Sequence, residues 1–117
     1  MSIDLLPEFI RTHYEVHEWK HACAILKQDF VNEWNDIVSV LIEFRLLKSW
    51  IVNPGGRKSK ISQFIDTYLY GRGWTEKEFQ TEMVVDGNRT DTPTHKVDCF
   101  RNRVALEIEW NNKDPFL

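Results

Sequence analysis

A chain of 117 residues, 42% hydrophobic with five tryptophans and seven phenylalanines, holds one domain and enough apolar volume to pack a core, which argues against global disorder. It contains no apolar run of about 18 residues, and its start, MSIDLLPEFIRTHYE, has neither a basic n-region nor a clean h-region, so neither a membrane span nor a signal peptide is expected. Two cysteines, Cys23 and Cys99, are too few and too far apart for a disulfide framework, which makes a reduced, cytoplasmic protein the default. The net charge of −3 gives no general case for a polyanionic partner, but it is unevenly spread. Residues 1–50 hold five Lys and Arg against eight Asp and Glu, whereas 51–117 hold ten of each. Within 52–72, Arg57, Lys58, Lys60 and Arg72 face Asp66 alone. A local basic patch of this kind can contact phosphates while carboxylates elsewhere pull the total negative. It can equally be a solvated loop with scattered lysines.

In chain order, residues 3–10 read as a short helix, and HYEVHEW (13–19) fits strand or helix. From Asn32, a plausible N-cap, Trp34, Ile37, Val38, Leu41 and Ile42 recur at helical spacing, predicting a helix to about Leu47. NPGGRKS (53–59) is a turn. Ile61, Phe64, Ile65, Tyr68 and Leu69 repeat the helical period, with Ser59 as cap and Gly71 or Gly73 as stop. EFQTEMVV (78–85) reads as a strand, DGNRTDTPT (86–94) as a loop, and two further strands are expected at about 95–100 and 103–110. N-terminal helices followed by a three-stranded meander make an α+β or mixed α/β fold in a single domain, 1–117.

His17-Glu18-Trp19-Lys20-His21 matches H-E-x-x-H, in which two histidines one helical turn apart bind zinc and the glutamate acts as base. That reading needs a helix at 17–21 and a third ligand; His13 and Cys23 lie nearby, and His95 is the histidine downstream. Three fixed positions in five arise readily by chance, and the longer peptidase signatures are missing. A zinc hydrolase working through His17 and His21 is therefore the third-ranked function. Asn88-Arg89-Thr90 is a formal glycosylation sequon, without weight unless the chain is secreted.

The C-terminal stretch VDCFRNRVALEIEW carries more chemistry. Alternation on a strand puts Arg103, Ala105, Glu107 and Glu109 on one face and Val104, Leu106, Ile108 and Trp110 on the other. Glu107 and Glu109 are then about 6.6 Å apart along the strand. If the turn falls at Arg101-Asn102-Arg103, Asp98 reaches across to Glu107. Two carboxylates converging from adjacent strands form a hard oxygen site suited to Mg²⁺ rather than zinc. Burying such anions without a cation is costly, which favours a metal or substrate partner. A surface hairpin with its glutamates simply in water gives the same spacing.

Asp98 followed nine residues later by Glu107-Ile108-Glu109 resembles the PD-(D/E)xK nuclease signature, with Glu109 where lysine is usual. The run from Asp98 through Ile108 is similar to the catalytic hairpin of the BglII/BstYI group of type II restriction endonucleases, which also lacks that lysine. Asn112 falls where the group has a further polar active-site residue, and EWNDIVSVL (33–41) and KISQFIDTYLYGRGWTEKEF (60–79) are similar to its order of elements. The resemblance implies a restriction-endonuclease-like core and metal-dependent hydrolysis of double-stranded DNA at a short palindrome, leaving 5′-phosphate ends. It implies Asp98 and Glu107 as ligands of Mg²⁺ or Mn²⁺, Glu109 as the residue that helps activate water, and Asn112 as an auxiliary contact. Arg57, Lys58 and Lys60 become candidates for DNA contacts, and Glu43 a further acidic partner. A homodimer, or a complementing chain, is the implied assembly.

Family chains are longer, and their Glu107 strand is followed by further elements. The expectation here is therefore the N-terminal and catalytic-hairpin portion of such an enzyme, with its sheet incomplete. A catalytically inactive, truncated interaction module is the second reading.

Overall fold

The computed structural model describes residues 2–45, 60–92 and 94–109. After a single 3-10 turn at Ile3–Leu5, the helices are α1 (Glu8–His13), α2 (Ala22–Asp29), α3 (Val31–Glu43) and α4 (Lys60–Tyr70). The strands are β1 (Thr75–Phe79), β2 (Glu82–Val85), β3 (Asn88–Asp91), β4 (His95–Arg101) and β5 (Val104–Leu106). β1, β4 and β5 form one antiparallel sheet in that order, and β2 and β3 form a separate hairpin. Helices come first and a three-stranded antiparallel sheet follows, which is a mixed α+β fold. The expected meander is present in space, with an additional hairpin inserted between its first two strands.

That insertion corrects two expectations. The predicted strand at 78–85 is the end of β1 and all of β2, parted at Gln80-Thr81, and the predicted loop at 86–94 contains β3. Asp86 and Gly87 sit between paired Val85 and Asn88 with φ of 50° and 79°, the two-residue turn with positive φ at both positions that suits the twist of antiparallel strands. Asn102 and Arg103, with φ of 49° and 69°, make the same turn between paired Arg101 and Val104.

α3 is central, with α1, α2 and α4 packed around it. One cluster joins Trp34 to Leu6 and Ile10, and a second joins Val40 to Leu69, Trp74, Cys99 and Val104. The helical spacing from Trp34 to Ile42 is therefore a true core pattern. The ends of α3 differ from expectation. Its N-cap is Phe30 rather than Asn32, and the helix stops at Glu43 rather than Leu47, with Phe44 extended at ψ 137°. Tertiary contacts favour that stop. The Tyr14 hydroxyl donates to the Leu41 carbonyl (2.5 Å), Arg45 donates to the Ile42 carbonyl (2.5 Å), and the Phe44 ring meets Phe64 edge-on. Orphan carbonyls at a helix end need such donors.

α4 ends as its glycines predict. Trp74 N–H donates to the Leu69 carbonyl and Gly73 N–H to that of Tyr70, with Gly73 at φ +93°. This is the Schellman arrangement, and its accompanying apolar contact is between Leu69 and Trp74, 0% and 1% exposed. The cap thus drives Trp74 into the core as the chain enters β1.

A cluster of charge ties the sheet to α3. Arg101, at the end of β4, places Nη1 2.8 Å from Asp36 Oδ2 and Nε 3.4 Å from Glu33 Oε2, and Glu33 is only 3% exposed. Asp36 also accepts from Trp74 Nε1 at 3.0 Å and lies 3.8 Å from Arg72 Nε. One residue past Asn102, the Arg103 guanidinium lies over the Phe30 ring at 5.2 Å.

Removing Arg101 leaves the buried Glu33 without its cation and Asp36 with Arg72 and Trp74 only, so Arg101→Met is expected to lower unfolding stability by about 3 kcal/mol. Adding Glu33→Gln should recover part of that loss, as measured by urea denaturation. At the cap, Gly73→Ala forces a Cβ into left-handed backbone and should cost about 1 kcal/mol. Gly71→Ala, with its new Cβ in ordinary contact, should leave the melting temperature unchanged or higher.

Candidate active site

β4 carries Asp98 at its fourth position, between the buried residues Val97 and Cys99. Its pairing with β1 is irregular there. Thr75 pairs with Phe100 and Lys77 with Val97, so Glu76 alone faces both Asp98 and Cys99. Alternation on β4 is nevertheless kept across it, with Val97 and Cys99 on one face and Asp98 between them. Cys99 goes to the core, where its thiol donates to Asp66 Oδ1 on α4 at 3.6 Å, while Asp98 stays half-buried on the other side. The Asp98 carbonyl accepts from the Tyr70 hydroxyl at 2.9 Å, which ties this point of β4 to the end of α4.

On β5 the alternation holds through the described residues, with Val104 buried, Leu106 and Ile108 half-buried, and Ala105, Glu107 and Glu109 exposed. The ladder itself ends at Leu106, short of the predicted 110. The reason is a side chain. Asp98 Oδ2 accepts the Ile108 N–H at 3.0 Å and so competes with the backbone for that donor. The pairs Cys99–Leu106 and Phe100–Ala105 set the register that brings Glu107 opposite Asp98, as the predicted turn position requires. The Glu107 carboxylate itself meets His95 at the start of β4, with Oε1 3.2 Å from Nε2.

Of the sequence candidates, Asp98, Glu107 and Glu109 thus fall on one hairpin. Asn112, Arg57 and Lys58 lie outside the described residues. Lys60 is exposed on the first turn of α4. Glu43 accepts a hydrogen bond from the Tyr68 hydroxyl at 2.9 Å, and that phenol is pushed up by burial and then by this bond. Among the described residues, no group of three His, Cys, Asp or Glu side chains forms a ready-made metal cage. His95 and Tyr70 escape sequence reasoning because neither spacing nor residue type marks a cross-strand or helix-to-strand contact.

The H-E-x-x-H reading is corrected. Residues 17–21 are not helical, and Lys20 and His21 have φ of 50° and 58°, so the histidines do not lie one helical turn apart. His17 and His21 are exposed, with His17 3.8 Å from Glu15. Glu18 instead caps α2, accepting from the Ser2 hydroxyl, from Ser2 N–H at 2.7 Å and from Cys23 N–H at 2.9 Å, while Ser2 Oγ accepts from Ala24 N–H. Hydrogen bonds from Ser2 first, and then from Cys23, hold the Glu18 carboxyl at about 2 against the opposing effect of burial.

The pattern of the restriction endonuclease BglII/BglIII family matches residues 14–117. The chain belongs to this family. Neither curated proteins nor solved structures give a match. In this BglII/BglIII family member the matched region includes α2 to β5, and therefore the whole hairpin with Asp98, Glu107 and Glu109. Among the described residues, no helix is long and apolar enough to cross a membrane.

Glu18 gives a pH prediction with a definite sign. Its folded pKa lies below the unfolded one, so its contribution is complete above about pH 4.5 and is lost as the pH falls towards 2. Glu18→Gln should therefore be less stable than the parent at neutral pH, with the difference shrinking across that window in acid titrations followed by circular dichroism. His17→Ala should leave both stability and metal content unchanged.

Proposed function

We propose that the chain is a metal-dependent type II DNA endonuclease, or the catalytic part of one, with a PD-(D/E)xK-type core. Asp98 and Glu107 are its divalent-metal ligands and Glu109 helps to orient the attacking water. The observation that supports this most is the hairpin register, which brings Glu107, one residue past β5, opposite Asp98 on β4 inside a chain of the BglII/BglIII family. The donor set fits Mg²⁺ or Mn²⁺. Mg²⁺ is commonly held by one or two carboxylates, with waters and substrate phosphate completing its shell, so two carboxylates suffice where zinc would demand more protein ligands.

When bound, such an ion lowers the pKa of a water and offsets charge at the scissile phosphate. The chain's own residues supply the rest. Asp98 is held by the Ile108 N–H, which fixes one carboxylate before substrate arrives. Glu107 projects from the same face into solvent, where a DNA phosphate can approach. Glu109, two residues on, is exposed, and in this reading it accepts a hydrogen bond from the attacking water as that water loses its proton. Lys60, Arg57, Lys58 and Asn112 remain candidate contacts to DNA or to the site. Double-stranded DNA is the substrate, and a homodimer matches a palindromic site because a two-fold protein reads a two-fold sequence.

The test is plasmid cleavage with Mg²⁺ or Mn²⁺, beside EDTA and Glu107→Ala. Discrete fragments are expected with the parent. The variant should lose more than the roughly 100-fold that removal of an outer-shell partner costs. Cleavage by Glu107→Ala at the parental rate would remove the hairpin from the mechanism. A folded parent that binds DNA without cutting it would return the non-enzymatic interaction module.

A further inference from the structure

Glu107 is fixed less firmly than Asp98. It follows the last ladder residue of β5, so no strand pairing locks its backbone, and the carboxylate is 41% exposed. Within the described contacts of this side chain, what meets it is His95, three residues before Asp98 on β4. The two groups stand 3.2 Å apart, Nε2 to Oε1. A neutral imidazole attracts a carboxylate at that distance only by donating, which assigns the proton to Nε2.

We infer that His95 is a positioning residue for Glu107, holding Oε1 so that Oε2 is presented to a divalent cation beside Asp98. This inference rests on the metal-site reading proposed above. The geometry that supports it is that one strand carries both a proposed ligand and the clamp on the other. His95 and Asp98 lie on β4, so the spacing between clamp and first carboxylate is set by a single extended segment. The Ile108 N–H to Asp98 bond then draws the β5 end of Glu107 to the same segment. Ligating carboxylates are regularly oriented by such outer hydrogen bonds, and their loss weakens metal affinity by about 10–100-fold. With His95 69% exposed, the lower end of that range applies here.

The experiment is titration of the full chain with Mn²⁺ alone, without DNA, following free Mn²⁺ by electron paramagnetic resonance. His95→Ala, His95→Gln and Glu107→Ala are run beside the parent, each checked for an unchanged circular dichroism melt. His95→Ala should bind about 10-fold more weakly, and His95→Gln, whose amide still donates, should recover most of that loss. Glu107→Ala should bind no Mn²⁺ in the same range. Parental affinity in His95→Ala, with binding lost in Glu107→Ala, would overturn the positioning role and leave the metal site standing. Equal weakness of His95→Gln and His95→Ala would make the ring nitrogen a direct ligand and overturn it in another way. Unchanged binding in Glu107→Ala, or none in the parent, would overturn the metal site itself and this role with it.

Discussion

The grip of two arginines on the start of α3 is what the rest of the structure depends on. Arg101 precedes the turn of the β4–β5 hairpin and Arg103 is its second residue, the first bound to Asp36 and Glu33 and the second lying over Phe30. A short hairpin has little stability alone, so its position must come from what it docks against. Here the dock is ionic and partly buried, and removing either sign leaves the other desolvated. Trp74 reports to the same Asp36, so the Schellman cap of α4, the entry to β1 and the end of β4 meet on one carboxylate.

From that anchor the hairpin projects its polar face at a fixed pitch. The two-residue turn sets the register, strand alternation between buried Val97 and Cys99 turns Asp98 away from the core, and the Asp98 side chain ends the β5 ladder by taking the Ile108 N–H. Each step spends a regular backbone feature to place a carboxylate. Arg103 in left-handed backbone carries a cost of about 1–2 kcal/mol, offset in part by its stacking on Phe30.

Much of this was legible in the sequence where periodicity is long and apolar. Trp34 to Ile42 and Ile61 to Leu69 repeat at helical spacing, and both segments are helices. Alternation from Arg103 to Glu109 gives the exposed and covered faces of the hairpin, and its turn falls at the expected residues. Legibility fails where contact overrides local preference. Nothing in FRLLK breaks a helix, yet Phe44 and Arg45 leave it to pack on Phe64 and Phe9. Asp86-Gly87 is a strong hairpin signal, but NRTD beyond it is polar on both faces and so reads as loop. H-E-x-x-H fails because Glu18 has a better use, capping a helix that its own first residues do not cap. His95 could not be paired with Glu107 until the register was known.

The central claim is that Asp98 and Glu107 hold one divalent ion between adjacent strands. Anomalous diffraction from crystals of the chain soaked in Mn²⁺ addresses it most directly. The account predicts a peak between the Asp98 and Glu107 carboxylates. A bare hairpin with the ion at His17 and His21, or at any other group, would contradict it.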